Sequence, residues 1–290
     1  ANRKIRTYWV TMHAKVLASI CLLAACQLSS GFSDLQANRD LFDDFKKTYN
    51  KAYESEEENE RRFVHFSENM ERAEAAQRGE RGTARYGVTQ FSDLTVEEFK
   101  QFGLSQNPEL RAKRLPEAVI PEVEIPQEFD WRKKGVVTEV KSQKNCGSCW
   151  AFSAVGNIEG QWAIHKHKLI SLSEQELVDC DKEDQGCEGG LMTSAYKAVI
   201  SLGGLMSEKD YPYKGKNQTC SFNKKRAAVT INGGVSISKD EQKMAKWLFK
   251  NGPISIGLNS YNMQFYQNGV AHPQPKDCDP ETIDHGTLIV

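Results

Sequence analysis

The first apolar run in this chain is short and uncharged. Val16–Ala25 follows Lys15 and is succeeded by several small residues. A run of this length cannot span a bilayer, and a basic flank, an apolar centre and a small-residue end are the layout of a secretory signal. We predict a signal peptide over residues 12–33, starting at Met12 and preceded by a non-native leader over 1–11. A buried core helix remains the alternative.

The next apolar residues recur at three- and four-residue steps, which predicts amphipathic helices. A first stripe predicts one helix, and a second stripe predicts a longer helix over roughly Glu56–Gln77. The stripes are Phe42, Phe45, Tyr49 and Tyr53, then Phe63, Phe66, Met70 and Ala73. Prolines interrupt residues 103–127, so we predict an extended linker there, with a cleavage site near 110–125.

The second half of the chain changes from helical to strand-like patterns. We predict one helix from Cys149 to about Lys166 and another that begins near Ser173, where Ser173 and Glu176 form a capping box. Short β-segments are predicted at 229–231, 235–237, 254–258 and 287–290, separated by glycine-containing turns. These patterns together define an α+β protein.

Composition limits the choice of function. The chain has 290 residues, 39% hydrophobic residues and a net charge of −1. Its length suggests about two domains. Because there is no basic excess, we expect no nucleic-acid partner. No run after the signal is long enough for a membrane span, so we expect no membrane association of the mature protein.

The chain has eight cysteines, which are compatible with several kinds of chemistry. Cys21 and Cys26 lie in the predicted signal, and the even number that remains is compatible with a disulfide framework. The pair Cys146 and Cys149 could also form a redox dithiol. A zinc site is a further alternative, with these ligands: Cys146, Cys149, Cys180 and Cys187.

The residues around Cys149 favour a different chemistry. Cys146-Gly147-Ser148-Cys149-Trp150 matches the signature C-G-[SA]-C-[WY], in which the second cysteine is a nucleophile. Gln143 precedes this run, and Ala151-Phe152-Ser153 follows it. The segment therefore resembles the papain family of cysteine proteases, with Cys149 as nucleophile.

Two further motifs extend the resemblance to the amino-terminal region. Helical spacing places one set along a single side of the second predicted helix: Glu58, Arg62, Phe66, Asn69, Ala73 and Gln77. This set resembles the propeptide motif of the cathepsin F-type branch of the family. A second propeptide element resembles G-x-N-x-F-x-D, with Gly87, Phe91 and Asp93 in place and Thr89 instead of asparagine. We therefore expect a helical inhibitory propeptide with its linker over 34–120.

The resemblance implies that residues 121–290 form a papain-like peptidase domain with a helical half and a β-barrel half. His285, in an Asp-His-Gly context, would be the base, and its spacing from Cys149 fits the family window of roughly 130–150 residues. The helix N-terminus and an imidazolium would lower the pKa of the Cys149 thiol. The Gln143 side chain and the Cys149 N–H would stabilise the oxyanion.

The resemblance also implies disulfides Cys146–Cys187 and Cys180–Cys220, which leaves Cys278 unpaired. The family's orienting asparagine lies in an N-S-W-G segment that does not occur before Val290. We therefore expect that the sequence stops before the last strands of the barrel and that this fragment is inactive as it stands.

Substrate-binding residues follow from the same resemblance. Gly189 and Gly190 would align an extended peptide, since only glycine permits such close approach of two main chains. The pocket for P2, the second residue before the scissile bond, would be lined by Leu191, Met192, Gly257 and Ile283. This pocket is apolar and uncharged, so we expect a preference for leucine or another bulky apolar residue.

The resemblance describes a monomeric zymogen of a lysosomal or extracellular endopeptidase in the secretory pathway. Its partners would be its own propeptide, protein and peptide substrates, and cystatin-type inhibitors, with no cofactor and no metal. Asn217-Gln218-Thr219 is an N-glycosylation acceptor sequence. A non-catalytic homologue or a propeptide-like inhibitor is the competing class, and the intact Cys149, Gln143 and His285 disfavour it.

Overall fold

The computed structural model describes residues 36–104, 115–275 and 278–290. The predicted leader (1–11) and signal (12–33), and the linker residues 105–114, lie outside the described residues. The chain divides into two compact units. The first contains the described residues up to Leu94 together with Phe265–Ala271. The second contains Thr95–Gln264 and His272–Val290.

Along the described chain, all α-helices and only one of the four strands precede residue 252, and the other three strands follow. The helices are α1 (36–48), α2 (Glu56–Gly79), α3 (Val96–Lys100), α4 (Cys149–Lys166), α5 (Glu174–Cys180), α6 (Met192–Leu202) and α7 (Glu241–Asn251). The strands are β1 (Arg85–Tyr86), β2 (Ile254–Leu258), β3 (Tyr266–Asn268) and β4 (His285–Ile289). Within the described ranges no helix combines the length and the apolar character that a membrane crossing requires.

The first unit is held together by aromatic side chains from α1 and α2. Phe42, Phe45, Phe63 and Phe66 are buried in one cluster. The rings of Phe45 and Phe66 lie 5.1 Å apart between centroids. The second predicted stripe is confirmed on α2. The first is confirmed only for Phe42 and Phe45, because α1 ends at residue 48 and leaves Tyr49 and Tyr53 outside the helix. The helix α2 begins where Ser55 caps it by accepting a hydrogen bond from the Glu58 N–H, which satisfies one of the free amide groups of the first turn.

The motif residues on α2 bind the loop that follows it. Arg62 donates from Nε to Glu58 Oε1 at 2.7 Å and from Nη1 to the Asp93 carbonyl at 3.1 Å. Asn69 is buried and donates to the carbonyls of Ser92 and Leu94 at 2.9 and 2.7 Å. These polar residues thus fix the loop to the helix and are not a solvated helix face.

Three further motif residues fix the segment that follows α2. Asp93 is buried and accepts hydrogen bonds from Lys51 Nζ and Tyr53 Oη, both at 2.9 Å. Gln77 bonds the backbone of Ala84 and Tyr86 through both atoms of its amide. Gly87 donates its N–H to the Phe265 carbonyl, beside the antiparallel pair β1–β3.

The helix α4 is the centre of the second unit. It is apolar on nearly all sides, with Trp150, Ala151, Ala154 and Val155 completely buried, as is typical of a core helix. The strands β2 and β4 pair antiparallel beside it, with Gly257 opposite Gly286. This register brings the start of β4, His285, to the end of α4 that carries Cys149.

A buried ionic cluster anchors the loop before Cys149. Lys141 Nζ lies 2.8 Å from Glu159 Oε1 and 2.7 Å from Glu174 Oε1, and it also donates to the Leu172 carbonyl. Glu159 belongs to α4 and Glu174 to α5, so one lysine joins the loop to both helices. No sequence pattern singled out this cluster.

Three local predictions were wrong. The predicted strands at 229–231 and 235–237 are not formed. Each segment makes a single isolated β-bridge, Leu205↔Val229 and Glu117↔Ser236. The Ser173 capping box is only half formed, because Glu176 Oε2 accepts from the buried Met206 N–H at 2.7 Å. A buried amide needs an acceptor, and this need outweighs the local cap. Burial raises the pKa of Glu176 to about 7.

Candidate active site

Cys149 is the first residue of α4, as predicted, and it is a free thiol that is 1% exposed. The Gly286 N–H donates to its Sγ at 3.4 Å. The N–H groups of Trp150 and of Cys149 itself also act on the sulfur. The thiol therefore lies among backbone donors at a helix N-terminus, the arrangement that stabilises an anion.

His285 is brought to the same place by the pairing of β4 with β2. It stands opposite Leu258 in the register, and the following residue, Gly286, contacts the Cys149 sulfur. A Cβ on Gly286 would lie 3.4 Å from the Cys149 carbonyl carbon and 3.2 Å from Met192 Sδ, so the backbone here is closely packed. The predicted nucleophile and base, which are far apart in the sequence, are thus neighbours in the structure.

Gln143 is the third predicted catalytic residue, and its side chain donates to backbone carbonyls at the same place. Its Nε2 donates to the Phe102 carbonyl at 2.8 Å and to the Cys146 carbonyl at 2.8 Å. The same Phe102 carbonyl also faces the His285 ring and acts to raise its pKa. Two of the three predicted catalytic side chains therefore converge on one carbonyl oxygen, where a substrate carbonyl would be expected.

Phe102 belongs to a segment that covers the site, defined here as the covering segment, residues 95–104. Thr95 and Glu98 begin α3 with a complete capping box, a T-x-x-E signal that was readable in the sequence. Leu104 then donates its N–H to the Asp284 carbonyl at 2.7 Å. The sequence analysis did not assign Phe102 or Leu104 to the site.

The ionisation of the pair differs from the prediction. Burial raises the pKa of the Cys149 thiol to about 11, against the lowering effect of the backbone N–H groups. Burial likewise lowers the pKa of His285, although Asp284 and the Phe102 carbonyl act in the opposite direction. The expected thiolate is therefore wrong for this covered form, because desolvation disfavours both charges. Burial in this covered form thus favours the neutral thiol and the neutral imidazole.

The predicted P2 pocket contains the Leu104 side chain. Its methyl carbons lie 3.7 Å from a Cβ built on Gly257 and 3.3 Å from one built on Gly286. Met192 Sδ is 3.2 Å from that Gly286 position, and Ile283 packs against Gly257. Leu104 is 7% exposed and belongs to the same buried cluster as Cys149.

Gly189 and Gly190 form a platform against α4. Gly189 has φ 107°, a conformation that side chains rarely adopt. A Cβ on Gly190 would come within 2.6 and 2.7 Å of two ring carbons of Trp150. Leu191 follows as the N-cap of α6. The two glycines are thus required by backbone conformation and by close packing, which excludes an ordinary surface turn.

Both disulfides that the resemblance implied are present, Cys146–Cys187 and Cys180–Cys220. Cys149 and Cys278 are free thiols. Because Cys146 is joined to Cys187, a Cys146–Cys149 redox pair is excluded, and so is the four-cysteine zinc site. The first disulfide also joins the loop before the nucleophile to the loop before the glycine platform.

The Tyr213 side chain is hydrogen-bonded to the backbone of Gln143. Its hydroxyl donates to the Gln143 carbonyl at 2.8 Å and shares a 2.6 Å hydrogen bond with Ser148 Oγ. Burial raises the pKa of Tyr213 to about 12. The sequence analysis did not assign Tyr213 to the site, since no local pattern shows that it contacts Gln143.

Asn217, the predicted glycosylation site, lies at the surface near the platform. Its Oδ1 accepts from the Cys187 N–H at 2.8 Å, and its Nδ2 donates to Glu188 Oε2 at 2.9 Å. Its modification stays a prediction.

A thiol at a helix N-terminus, a neighbouring histidine and a glutamine thus lie together, and a segment of the same chain covers them. Residues 125–290 match the papain family of cysteine proteases. Residues 42–99 match the cathepsin propeptide inhibitor domain (I29). The chain therefore belongs to the papain family of cysteine proteases and carries its propeptide inhibitor domain.

Its relatives include proteins of the cathepsin F branch. Mouse cathepsin F is 52% identical over 254 residues, which cover 86% of this chain and 54% of the relative. Drosophila melanogaster cathepsin F is 46% identical and covers 86% of this chain and 41% of the relative. The chain thus spans about half the length of the curated relatives it matches.

Solved precursor structures share the fold. Digestive procathepsin L 3 from Tenebrio molitor larval midgut aligns with a TM-score of 0.74 at 32% identity, covering 87% of this chain and 83% of that one. The recombinant stem bromelain precursor aligns with a TM-score of 0.74 at 30% identity, covering 87% and 81%. These similarities confirm the predicted papain-like fold with a helical propeptide.

Proposed function

We propose that this chain is the zymogen of a cysteine endopeptidase in which Cys149, His285 and Gln143 carry the reaction. The observation that supports the proposal most strongly is that these three residues lie close together. The Cys149 sulfur lies at the start of α4 beside Gly286, and the Phe102 carbonyl that accepts from Gln143 also acts on the His285 ring.

The chemistry follows from these positions once a substrate replaces the covering segment. The Cys149 thiolate attacks the carbonyl carbon, and the resulting oxyanion accepts hydrogen bonds from Gln143 Nε2 and the Cys149 N–H. The His285 imidazolium gives its proton to the leaving amine, and an acyl-enzyme remains. Water, deprotonated by His285, then attacks the thioester, which releases the acid and restores the thiol.

The covering segment inhibits this chemistry through two contacts. The Phe102 carbonyl accepts from Gln143 and faces His285, and Leu104 fills the apolar pocket. Both contacts also keep solvent away, so the thiol and the imidazole remain uncharged. We propose that acidic conditions loosen the propeptide and that proteolysis in the linker then removes it.

The occupant of the pocket supports the predicted substrate class. Leu104 is an apolar γ-branched side chain among Met192, Gly257 and Ile283. A peptide with leucine at P2 would present the same side chain to the same atoms. We therefore propose protein and peptide substrates with bulky apolar P2 residues, and an extended substrate main chain along Gly189 and Gly190.

We further propose that the protein enters the secretory pathway and acts as a monomer in lysosomes or outside the cell. The signal layout in residues 12–33 supports this proposal. So do the two disulfides, since such bonds persist in oxidising compartments. Cystatin-type inhibitors would compete for the same cleft.

Loss of the Gln143 amide tests the proposed function. The precursor is expressed from its complete reading frame, processed at acidic pH, and assayed on matched fluorogenic peptides with leucine or arginine at P2. We expect turnover of the leucine peptide, and we expect Gln143→Ala to lower its kcat by roughly 100–1000-fold with little change in KM.

Gln127→Ala serves as the control, because Gln127 is an exposed glutamine upstream of the site. It should leave kcat unchanged. Absence of turnover by the processed wild-type protein would contradict the proposed function, and an unchanged kcat in Gln143→Ala would contradict the role of the glutamine.

A further inference from the structure

A buried carboxyl group contacts the end of the glycine platform that continues into Leu191. Asp184 is 9% exposed, and its Oδ1 accepts the Leu191 N–H at 3.0 Å. Its Cβ would lie 2.8 Å from a Cβ built on Gly190. Earlier in the platform, the Gly189 carbonyl accepts from the Gln185 N–H at 2.9 Å. Asp184 thus combines contact with Gly190 and a hydrogen bond to Leu191.

The Asp184 carboxyl group lies close to a second carboxyl group. Asp184 and Asp181 interact through their side chains. Asp181 Oδ1 accepts the N–H groups of Glu183 and Asp184. Within the described part of the chain, the Oδ2 atoms of Asp181 and Asp184 are both buried and have no hydrogen-bond donor. Two adjacent carboxylates in such a place cannot both be ionised at low cost.

We propose that Asp184 is a positioning residue for substrate binding, and that it holds the Gly189–Leu191 platform in place through a proton shared between Asp184 Oδ2 and Asp181 Oδ2. This inference rests on the proposed peptidase function, since it assigns a role in binding the extended substrate. In this arrangement Oδ1 remains an acceptor for the Leu191 N–H, and Oδ2 carries the shared proton.

The charge environment fixes the direction of the pH dependence. Burial, followed by the negative charge of Asp181 and its hydrogen bond, raises the pKa of Asp184 to about 8, and Glu183 acts in the same direction. The hydrogen bond from the uncharged Leu191 N–H acts in the opposite direction. The folded protein holds the proton below about pH 8, whereas an unfolded carboxyl loses it near pH 4.

The direction in which stability changes with pH follows from this difference in proton binding. Between about pH 4 and pH 8 the folded state binds more protons than the unfolded state, so this group's contribution to stability decreases as the pH rises. The anchor itself persists through the acidic and neutral range. Above about pH 8 the shared proton is lost, two carboxylates repel each other, and the platform loosens.

Two substitutions separate the anchor from the shared proton. Asp184→Ala removes the acceptor of the Leu191 N–H, and it should raise KM for a leucine-P2 peptide by about 10-fold with little change in kcat. Asp184→Asn keeps an oxygen for Leu191 and supplies a permanent N–H donor toward Asp181. It should retain the wild-type KM at pH 6 and abolish the rise in KM that we expect for the wild type above pH 8.

Glu183→Gln is the matched control, since it removes one negative charge from the same exposed loop without the bond to Leu191. It should retain the wild-type KM and the alkaline rise. An unchanged KM in Asp184→Ala, or an alkaline rise in Asp184→Asn equal to that of the wild type, would overturn the inference.

Amide exchange separates this inference from the proposed function. The protection factor of the Leu191 N–H, measured in the unprocessed protein, should fall in Asp184→Ala. In the wild type it should fall above pH 8, and in Asp184→Asn it should be independent of pH. Those results without any peptidase turnover would support the anchor and contradict the function. A Leu191 protection factor that is the same in all three proteins would contradict the anchor alone.

Discussion

Replacing Cys149 by alanine or serine should lower kcat/KM of the processed enzyme by roughly 10⁴-fold or more, the largest effect that we expect of any substitution. The sulfur lies among backbone N–H donors at the start of α4, and these donors can stabilise a thiolate. Serine preserves the shape and the hydrogen bond from Gly286, but its hydroxyl does not ionise in the accessible pH range. Loss of a nucleophile of this kind accounts for most of the catalytic power of comparable enzymes.

These variants cannot process themselves, so their propeptides must be removed in trans. Pepsin, subsequently blocked with pepstatin, can process wild-type and variant precursors alike before a fluorogenic assay. Correct folding is checked by intact disulfides and an unchanged thermal midpoint. Retention of more than a tenth of wild-type kcat/KM by Cys149→Ser would contradict the assignment of the nucleophile.

Replacing Leu104 by aspartate should expose Cys149 in the unprocessed protein. Leu104 is a buried leucine among Met192, Gly257 and Gly286, and removing such a side chain costs about 2–5 kcal/mol. A carboxylate in its place must also be desolvated. The covering segment should therefore detach more often, and alkylation of Cys149 by a small reagent at pH 6 should accelerate by roughly 30-fold or more.

The matched control for Leu104 is Val119→Asp. Val119 is 89% exposed and lies in the same stretch before the peptidase domain, so its replacement introduces the same charge without emptying a pocket. Its alkylation rate should equal that of the wild type. Equal rates for Leu104→Asp and wild type would show that the leucine does not hold the covering segment over the thiol.

Local patterns predicted the parts of this molecule that local physics determines. The helix over Glu56–Gly79 follows from its apolar stripe and the Ser55 cap, and α4 begins and ends where its pattern indicated. The position of Cys149 at a helix start was therefore available from the sequence. The neighbouring position of His285 was available only through the resemblance, because the β2–β4 register that produces it joins distant segments.

Other features depend on contacts that no local pattern contains. The Glu176 side chain does not complete the capping box, because it accepts a hydrogen bond from the buried Met206 N–H instead. Lys141 joins α4 and α5 through two glutamates that are far from it in the sequence. The ionisation of the active-site pair was predicted wrongly for the same reason, since Phe102 and Leu104 change the solvation of a thiol whose local sequence favours the anion.

The pH dependence of Cys149 alkylation, before and after removal of the covering segment, tests the central claim most directly. The modified Cys149 peptide is quantified by mass spectrometry, so that Cys278 does not interfere. In the unprocessed protein the rate constant should rise about tenfold per pH unit through pH 9 without a plateau, as a pKa of about 11 requires. In the processed enzyme it should level off above a midpoint between roughly 3.5 and 7.5. The same midpoint in both forms would contradict the claim that the covering segment keeps the pair uncharged.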